Sequence, residues 1–221
     1  MTKLDFGQDT LFGEKVISTI GYNEQEIIRD ILFLHADNKP IDCDPTYSTG
    51  HFYKDWAKPP KYKFDKFPQA YGVIEATSDK LPLDPNSVSV IMFDPPFVMG
   101  GETDKDNKDK GSCIIAKRFT NFKDFSELKQ MYSISLKEFS RVLMGGGIVI
   151  FKCQDCVSSA LNHFSHCWLM FEALKYGFYP KDLFILLARN RLTDSRKQQH
   201  ARKYHSYFWV FKKTDCKVDY Y

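Results

Sequence analysis

The stretch Val88-Ser89-Val90-Ile91-Met92-Phe93-Asp94-Pro95-Pro96-Phe97 decides how this sequence folds and where its chemistry lies. Val88–Phe93 is apolar except for Ser89 and rich in strand-forming side chains, so it predicts a buried strand. Asp94 ends the apolar run, and the two prolines that follow cannot continue a paired central strand. The acid is thereby placed at the carboxyl end of a strand, where open α/β sheets bind ligands.

Working outward, strand and helix patterns alternate almost throughout. Asn23 caps a helix whose apolar residues Ile27, Ile28, Ile31, Leu32 and Leu34 recur at helical spacing. Residues 40–44 form a first strand, Phe64 and Asp65 end a second, and Val73-Ile74-Glu75-Ala76 is a third. A turn through Pro82, Pro85 and Asn86 leads into Val88–Phe93. After it come an amphipathic helix over residues 125–143, stopped by three glycines, and a fifth strand over 148–152. A helix over residues 160–176 ends at Gly177, and strands at 183–188 and 207–211 close the chain. These elements predict one α/β domain over residues 1–221: a single seven-stranded sheet, mostly parallel with an antiparallel last strand, and helices on both faces. Residues 98–121 break the alternation. Their centre is nearly all charge, as expected of a functional lid or insert.

Composition narrows the class. With 221 residues and 43% hydrophobic content, the chain is long enough for one real core. The opening MTKLDFGQDT lacks the apolar centre of a signal peptide, and no run approaches the roughly eighteen apolar residues of a membrane span. A soluble, cytoplasmic protein without membrane association is expected; oligomeric state is not readable. Six cysteines in this length do not form a disulfide-scaffold pattern. Net charge is only +3, so attraction for an acidic partner must come from clustering. One cluster exists: Arg189, Arg191, Arg196, Lys197, Arg202 and Lys203 stand against a single Asp194.

The tetrapeptide meets a specific chemical demand. An exocyclic amine on a nucleic-acid base is a poor nucleophile because its lone pair is delocalised into the ring. A carboxylate oxygen of Asp94 and the main-chain carbonyl of Pro95 can accept hydrogen bonds from its two N–H groups and steer the lone pair outward. Pro95 and Pro96 aim the carbonyl in advance, which is electrostatic preorganisation. Phe97 offers a flat face for a flipped-out base.

Asp94-Pro95-Pro96-Phe97 resembles the catalytic motif of class I S-adenosylmethionine (SAM)-dependent amino-methyltransferases acting on adenine N6, cytosine N4 and some glutamine amides. Asp44-Pro45-Thr46-Tyr47-Ser48-Thr49-Gly50 resembles that family's cofactor loop, and residues 76–82 resemble the segment after its third strand. The whole is similar to small phage-type DNA methylases, so the resemblance implies a Rossmann-like fold and a bacterial or phage-infected host cell. SAM is the implied cofactor. Its implied contacts are Asp44, Pro45, Thr46, Tyr47 and Gly50, with Asp65 for the ribose and Thr77 or Ser78 (or Asp79) near the adenine ring. Asp44 can meet the cofactor or order the loop, and Gly50 permits close backbone approach. Two positions depart from the pattern. Ser48 and Thr46 replace a usual glycine and phenylalanine, so the loop is expected to close differently, and the helix after Gly50 is expected to be short or missing.

Cys153, Cys156, His163, His166 and Cys167 have partly metal-like spacing, but buried free cysteine is the commoner outcome and no metal is expected. Gln154 and Asp155 stand at a strand end and can line the crevice. Lys117, Arg118, Arg196, Lys197, Arg202 and Lys203 are the candidate phosphate contacts. The expected activity is SAM-dependent methylation of a base amine, most readily adenine N6 in DNA. The same chemistry on RNA or on a protein amine or amide stays open, as does a non-catalytic SAM-fold protein that binds nucleic acid.

Overall fold

Side chains alternate across a strand, so each strand of this sheet divides its residues between two helical layers. The computed structural model describes residues 10–11, 14–54, 58–97, 122–158, 160–188 and 200–214. Eight strands build its main sheet: β1 (Ile20–Gly21), β2 (Cys43–Asp44), β3 (Tyr62–Asp65), β4 (Ile74–Glu75), β5 (Val88–Phe93), β6 (Leu143–Cys153), β7 (Phe178–Leu187) and β8 (His205–Lys213). Among the described residues three α-helices accompany them: α1 (Glu24–His35), α2 (Phe125–Val142) and α3 (Ser165–Leu174).

The spatial order is β1-β7-β8-β6-β5-β2-β3-β4. Every neighbouring pair is parallel except those made by β8, which runs antiparallel to both β7 and β6. The expected seven strands are therefore corrected to eight. The addition is β1, only two residues long, pairing Ile20 with Ile185 and Gly21 with Leu186 at the sheet edge. Periodicity cannot reveal a strand that short. From β2 the chain runs outward through β3 and β4, then returns to place β5 on the other side of β2. The switch point of the sheet thus lies between β2 and β5.

On one face Val90, Met92, Ile148, Ile150, Phe208 and Val210 pack against Ile27, Ile28, Ile31 and Leu32 of α1. On the other, Ile91, Phe93, Val149, Phe151, Trp209 and Phe211 pack against Leu128, Tyr132, Leu136 and Phe139 of α2 and Leu169 and Ala173 of α3. Asn23 caps α1 as expected, its side-chain oxygen accepting from the N–H groups of Gln25 and Glu26 at 2.9 and 3.3 Å. Asp124 does the same for α2.

The helix expected over residues 160–176 begins later, at Ser165. Ala160 takes a left-handed backbone (φ 59°), which cannot start a right-handed helix. Residues 161–163 instead pair with 156–158 in a small hairpin. After Gly50, where the helix was expected to be short or missing, the described residues hold the 3-10 turn His51–Tyr53. Residues 98–121, the expected lid, lie outside the described residues.

Where β6 enters the sheet, Gly147 meets β5 at close quarters. A Cβ on Gly147 would lie 2.7 Å from the Ser89 carbonyl oxygen and 2.9 Å from Leu143 Cγ. Gly147→Ala should therefore push β5 and β6 apart and destabilise the fold by about 1–3 kcal/mol, read as a lowered Tm in thermal unfolding.

Candidate active site

The two strand ends at the switch point are joined by one hydroxyl. Asp44 ends β2 and is fully buried. Its Oδ1 accepts from the Thr46 N–H (2.8 Å) and hydroxyl (3.2 Å), and its Oδ2 accepts from the Tyr53 hydroxyl (2.8 Å). Thr46 Oγ1 in turn accepts from the backbone N–H of Asp94 at 2.9 Å. Burial pushes the Asp44 carboxyl up to about 7, although the Thr46 and Tyr53 hydrogen bonds pull it down. Of the two roles open to Asp44, ordering the loop is the one its contacts serve.

The rest of that loop closes by local means. Ser48, in place of the usual glycine, itself adopts the left-handed conformation (φ 50°), and its N–H is held by Asp65 Oδ2 at 2.9 Å. Gly50 (φ 71°) lies beneath the Tyr47 ring, where a Cβ would meet the Tyr47 hydroxyl at 2.4 Å. Tyr47 stacks on Tyr53 with ring centroids 5.5 Å apart. Gly50 therefore serves the packing of Tyr47, and neither residue is on the cavity wall described next.

A cavity of about 360 Å3 opens at the carboxyl end of the parallel strands. Pro45, Thr46, Asp65, Thr77, Ser78, Asp94, Pro95 and Pro96 line it, together with Phe67, Asp79, Phe122 and a wall from α2 of Glu127, Gln130, Met131 and Ile134. Its size and its mix of apolar and polar groups fit a small-molecule site. Asp65 presents an acid whose Oδ1 also accepts from the Phe67 N–H at 2.8 Å. Ser78 is tied to Ser135 of α2 at 2.7 Å. The α2 wall is absent from the sequence reading. Its polar side chains there, Glu127 and Gln130, look like ordinary surface residues of an amphipathic helix.

Phe97 is not on this cavity. It lines a second one, of about 530 Å3, with Tyr22, Asn23, Glu24, Lys152, Gln154, Lys203, Tyr204 and His205. The four-residue motif is thus divided between two neighbouring cavities. An ion pair joins them: Lys152 Nζ lies 3.2 Å from Asp94 Oδ2 and 3.2 Å from Glu24 Oε2. Burial raises the Asp94 carboxyl above its ordinary value, and the Lys152 ammonium offsets part of that rise. Burial lowers the Lys152 ammonium, but Asp94 and Glu24 outweigh it, leaving it above the usual lysine range. Neither Lys152 nor Glu24 figures in the sequence reading. The available signal was a lysine following the apolar run Ile148-Val149-Ile150-Phe151, since a charge at the end of a buried strand needs a partner.

Of the proposed phosphate contacts, Arg202 and Lys203 are described; Lys117, Arg118, Arg196 and Lys197 lie outside the described residues, as do Arg189, Arg191 and Asp194. His205 pairs with Leu187 and Tyr207 with Cys153, so the chain around Lys203 arrives at the carboxyl ends of β6 and β7. That is the edge of the sheet that carries Asp94. Gln154 donates to the carbonyls of Lys203 (3.3 Å) and His205 (2.8 Å), anchoring this arrival. Among the described residues no group of three or more His, Cys, Asp or Glu side chains is placed to hold a metal. His166 instead bonds Asp155 at 2.7 Å, which keeps the Asp155 carboxyl below its ordinary value against the opposing effect of burial. No helix of the described residues is long and apolar enough to cross a membrane.

No family model and no curated protein matches the sequence. Among solved structures, the chain is similar to a candidate DNA modification methylase of Thermus thermophilus (14% identity, TM-score 0.42, covering 65% of this chain and 53% of that one). It is also similar to the PvuII cytosine-N4-specific DNA methyltransferase (14%, TM-score 0.42, 63% and 48%). A third likeness is to a candidate methyltransferase of Haloferax volcanii in complex with the Trm112 methyltransferase activator (11%, TM-score 0.48, 88% and 95%). The chain spans about half the length of the first two. At these scores the likeness assigns no activity to it.

The raised Asp44 carboxyl has a consequence for stability. The folded state binds this proton more tightly than the unfolded chain, so its contribution is full below about pH 4 and is lost as pH rises towards about 7. The stability of the protein relative to Asp44→Asn should fall across that window by at most about 4 kcal/mol and level off above it. Chemical denaturation of both proteins at pH 4.5, 6 and 8 checks this, and a difference independent of pH would contradict it.

Proposed function

We propose that the chain is a SAM-dependent methyltransferase acting on an exocyclic amino nitrogen of a nucleic-acid base, with adenine N6 in DNA as the acceptor. The observation that carries this reading is the position of Asp94-Pro95-Pro96-Phe97. It ends β5 beside the switch point, with Asp94, Pro95 and Pro96 on one cavity and Phe97 on the next.

The first cavity has the donor set that a cofactor made of a nucleoside and an amino acid requires. Asp65 is an acceptor for ribose hydroxyls, Thr77, Ser78 and Asp79 supply polar partners for a base edge, and Phe67 and Ile134 supply apolar surface. Pro45 and Thr46 line the part contributed by the loop after β2. SAM, when bound, supplies a methyl group activated by a positively charged sulfur. Asp94 and the Pro95 carbonyl accept from the two N–H groups of the acceptor amine and so direct its lone pair. The prolines hold that carbonyl in place before substrate arrives, which lowers the reorganisation the reaction needs. The proton shed by the product nitrogen passes to Asp94 or to water.

The acceptor base is assigned to the second cavity, stacked on Phe97. Lys203 lines that cavity and Arg202 adjoins it, and they supply cations for flanking phosphates; Arg196, Lys197, Lys117 and Arg118 are proposed to extend this contact. Aspartate at the first position of the motif favours adenine N6 by resemblance.

Radiolabelled methyl transfer offered in parallel to DNA, RNA and protein, with the product identified by mass spectrometry, tests the proposal. Label in N6-methyladenine of DNA is the expected result. Label in RNA or in a protein side chain would move the acceptor to that polymer. SAM binding without transfer to any of them would favour a non-catalytic role. Asp94→Ala should reduce transfer at least about a hundred-fold while calorimetric SAM affinity stays within a few-fold, and normal turnover would sink the mechanism.

A further inference from the structure

Strand alternation brings three charged groups to one place. Val90 and Met92 face α1, so Asp94, the next residue in that series, stands on the same side of the sheet. Ile148 and Ile150 face α1 as well, and Lys152 follows them in turn. Phe93 pairs with Phe151 in the parallel ladder, so Asp94 and Lys152 leave their strands side by side. The face they share is covered by α1, whose first residue is Glu24. Register alone therefore delivers an ammonium between two carboxylates.

The surroundings keep it there. The Lys152 side chain is only 12% exposed, and its ammonium lies 5.2 Å from the centre of the Phe52 ring and 5.6 Å from that of Phe208. An ammonium left unpaired in such a setting is costly, as is the carboxylate it neutralises. Among the described residues, Asp94 Oδ2 accepts from Lys152 while Oδ1 accepts from no one.

We infer that Lys152 is a positioning residue for the methyl-transfer site, clamping Asp94 through Oδ2 so that Oδ1 stays an ionised, oriented acceptor for the substrate amine. The inference rests on the proposed methyltransferase reading, and it adds a requirement to it. A neutral carboxyl offers an O–H that can donate to the amine and compete with the methyl group for its lone pair, so the clamp must maintain charge as well as direction. Glu24 holds the far side of the ammonium and is itself 3.3 Å from His51 Nε2. Lys152 is divided between two acids, and the balance between them sets how strongly Asp94 is held.

The charged and titratable groups acting on Asp94 come from each element around it: Glu24 of α1, Asp44 of β2, His51 of the 3-10 turn, Lys152 of β6 and Tyr132 of α2. Two substitutions in this set have opposite predicted signs. Lys152→Met removes the cation and keeps most of the length of the side chain, so the Asp94 titration should move to higher pH. Glu24→Gln removes the competing acid, so it should move to lower pH. Carboxyl-carbon NMR of aspartate-labelled protein reads this directly, with Asp94→Asn identifying the resonance. The readout does not depend on turnover, so it stands even if no methyl acceptor is found. In the methyl-transfer assay, Lys152→Met should lose at least ten-fold in kcat near pH 7 and recover most of it by pH 9, with the acid limb of the profile displaced upward. SAM affinity should stay within a few-fold. An unmoved Asp94 titration, shifts of the same sign in both variants, or an equal loss of kcat at every pH would overturn the inference.

Discussion

Everything at the carboxyl edge of this sheet depends on the hydroxyl of Thr46. It donates to Asp44 at the end of β2 and accepts from the backbone of Asp94 at the end of β5, so it spans the switch point. Asp42 ties the earlier part of these two parallel strands, its N–H donating to the Val90 carbonyl and its carboxylate accepting from the Ser89 and Val90 N–H groups, and Thr46 ties their ends beyond the Cys43–Ile91 pair. The buried Asp44 completes the arrangement, because it can be tolerated there only with its oxygens satisfied. Thr46 N–H, Thr46 Oγ1 and the Tyr53 hydroxyl satisfy them. A side chain that departs from the resembled loop pattern is thus the one that ties the candidate cofactor loop to Asp94-Pro95-Pro96-Phe97.

The fold was largely legible because its signals are repetitive. All seven expected strands are present, and the antiparallel placement of the last one follows. What escaped was short or conformationally exceptional. β1 has two residues, and the hairpin before α3 turns on a left-handed Ala160 that no propensity scale anticipates. Of the residues read from the sequence as candidates, those at strand ends, Asp94, Asp65 and the segment through Thr77 and Ser78, do share one cavity wall. A loop residue, by contrast, can look inward or outward, and Tyr47 and Gly50 are not on that wall. Tyr47 and Gly50 pack against each other beside Tyr53, and only three-dimensional packing separates that outcome from a place on the cavity wall.

Lys152 and Glu24 illustrate a different gap. They lie 128 residues apart and meet through strand register and helix placement, neither of which is local in sequence. A lysine at the end of a buried strand signals that a counter-charge exists. It does not say which of the chain's 28 acids provides it. Two acids do, and that choice has a physical cost and a physical use. A buried pair can neutralise itself and become inert, whereas one ammonium between two carboxylates leaves net negative charge at the site. In the proposed chemistry that residual charge lies close to the bond that must form.

The division of the motif between two cavities also bears on how such a site excludes error. Asp94 and the prolines border the first cavity and Phe97 the second, with Lys152 bonded to Asp94 while lining the second. In the proposed reaction, a donor and an acceptor bound in the two cavities meet at the Asp94 carboxylate and the Pro95 carbonyl. The basic segment ending at Lys203 reaches the same edge because β8 is antiparallel, bringing its start, rather than its end, beside the ends of β6 and β7. Reversing one strand in an otherwise parallel sheet therefore does more than close the fold. It brings Lys203, at the end of the basic segment, to the cavity proposed for the acceptor base.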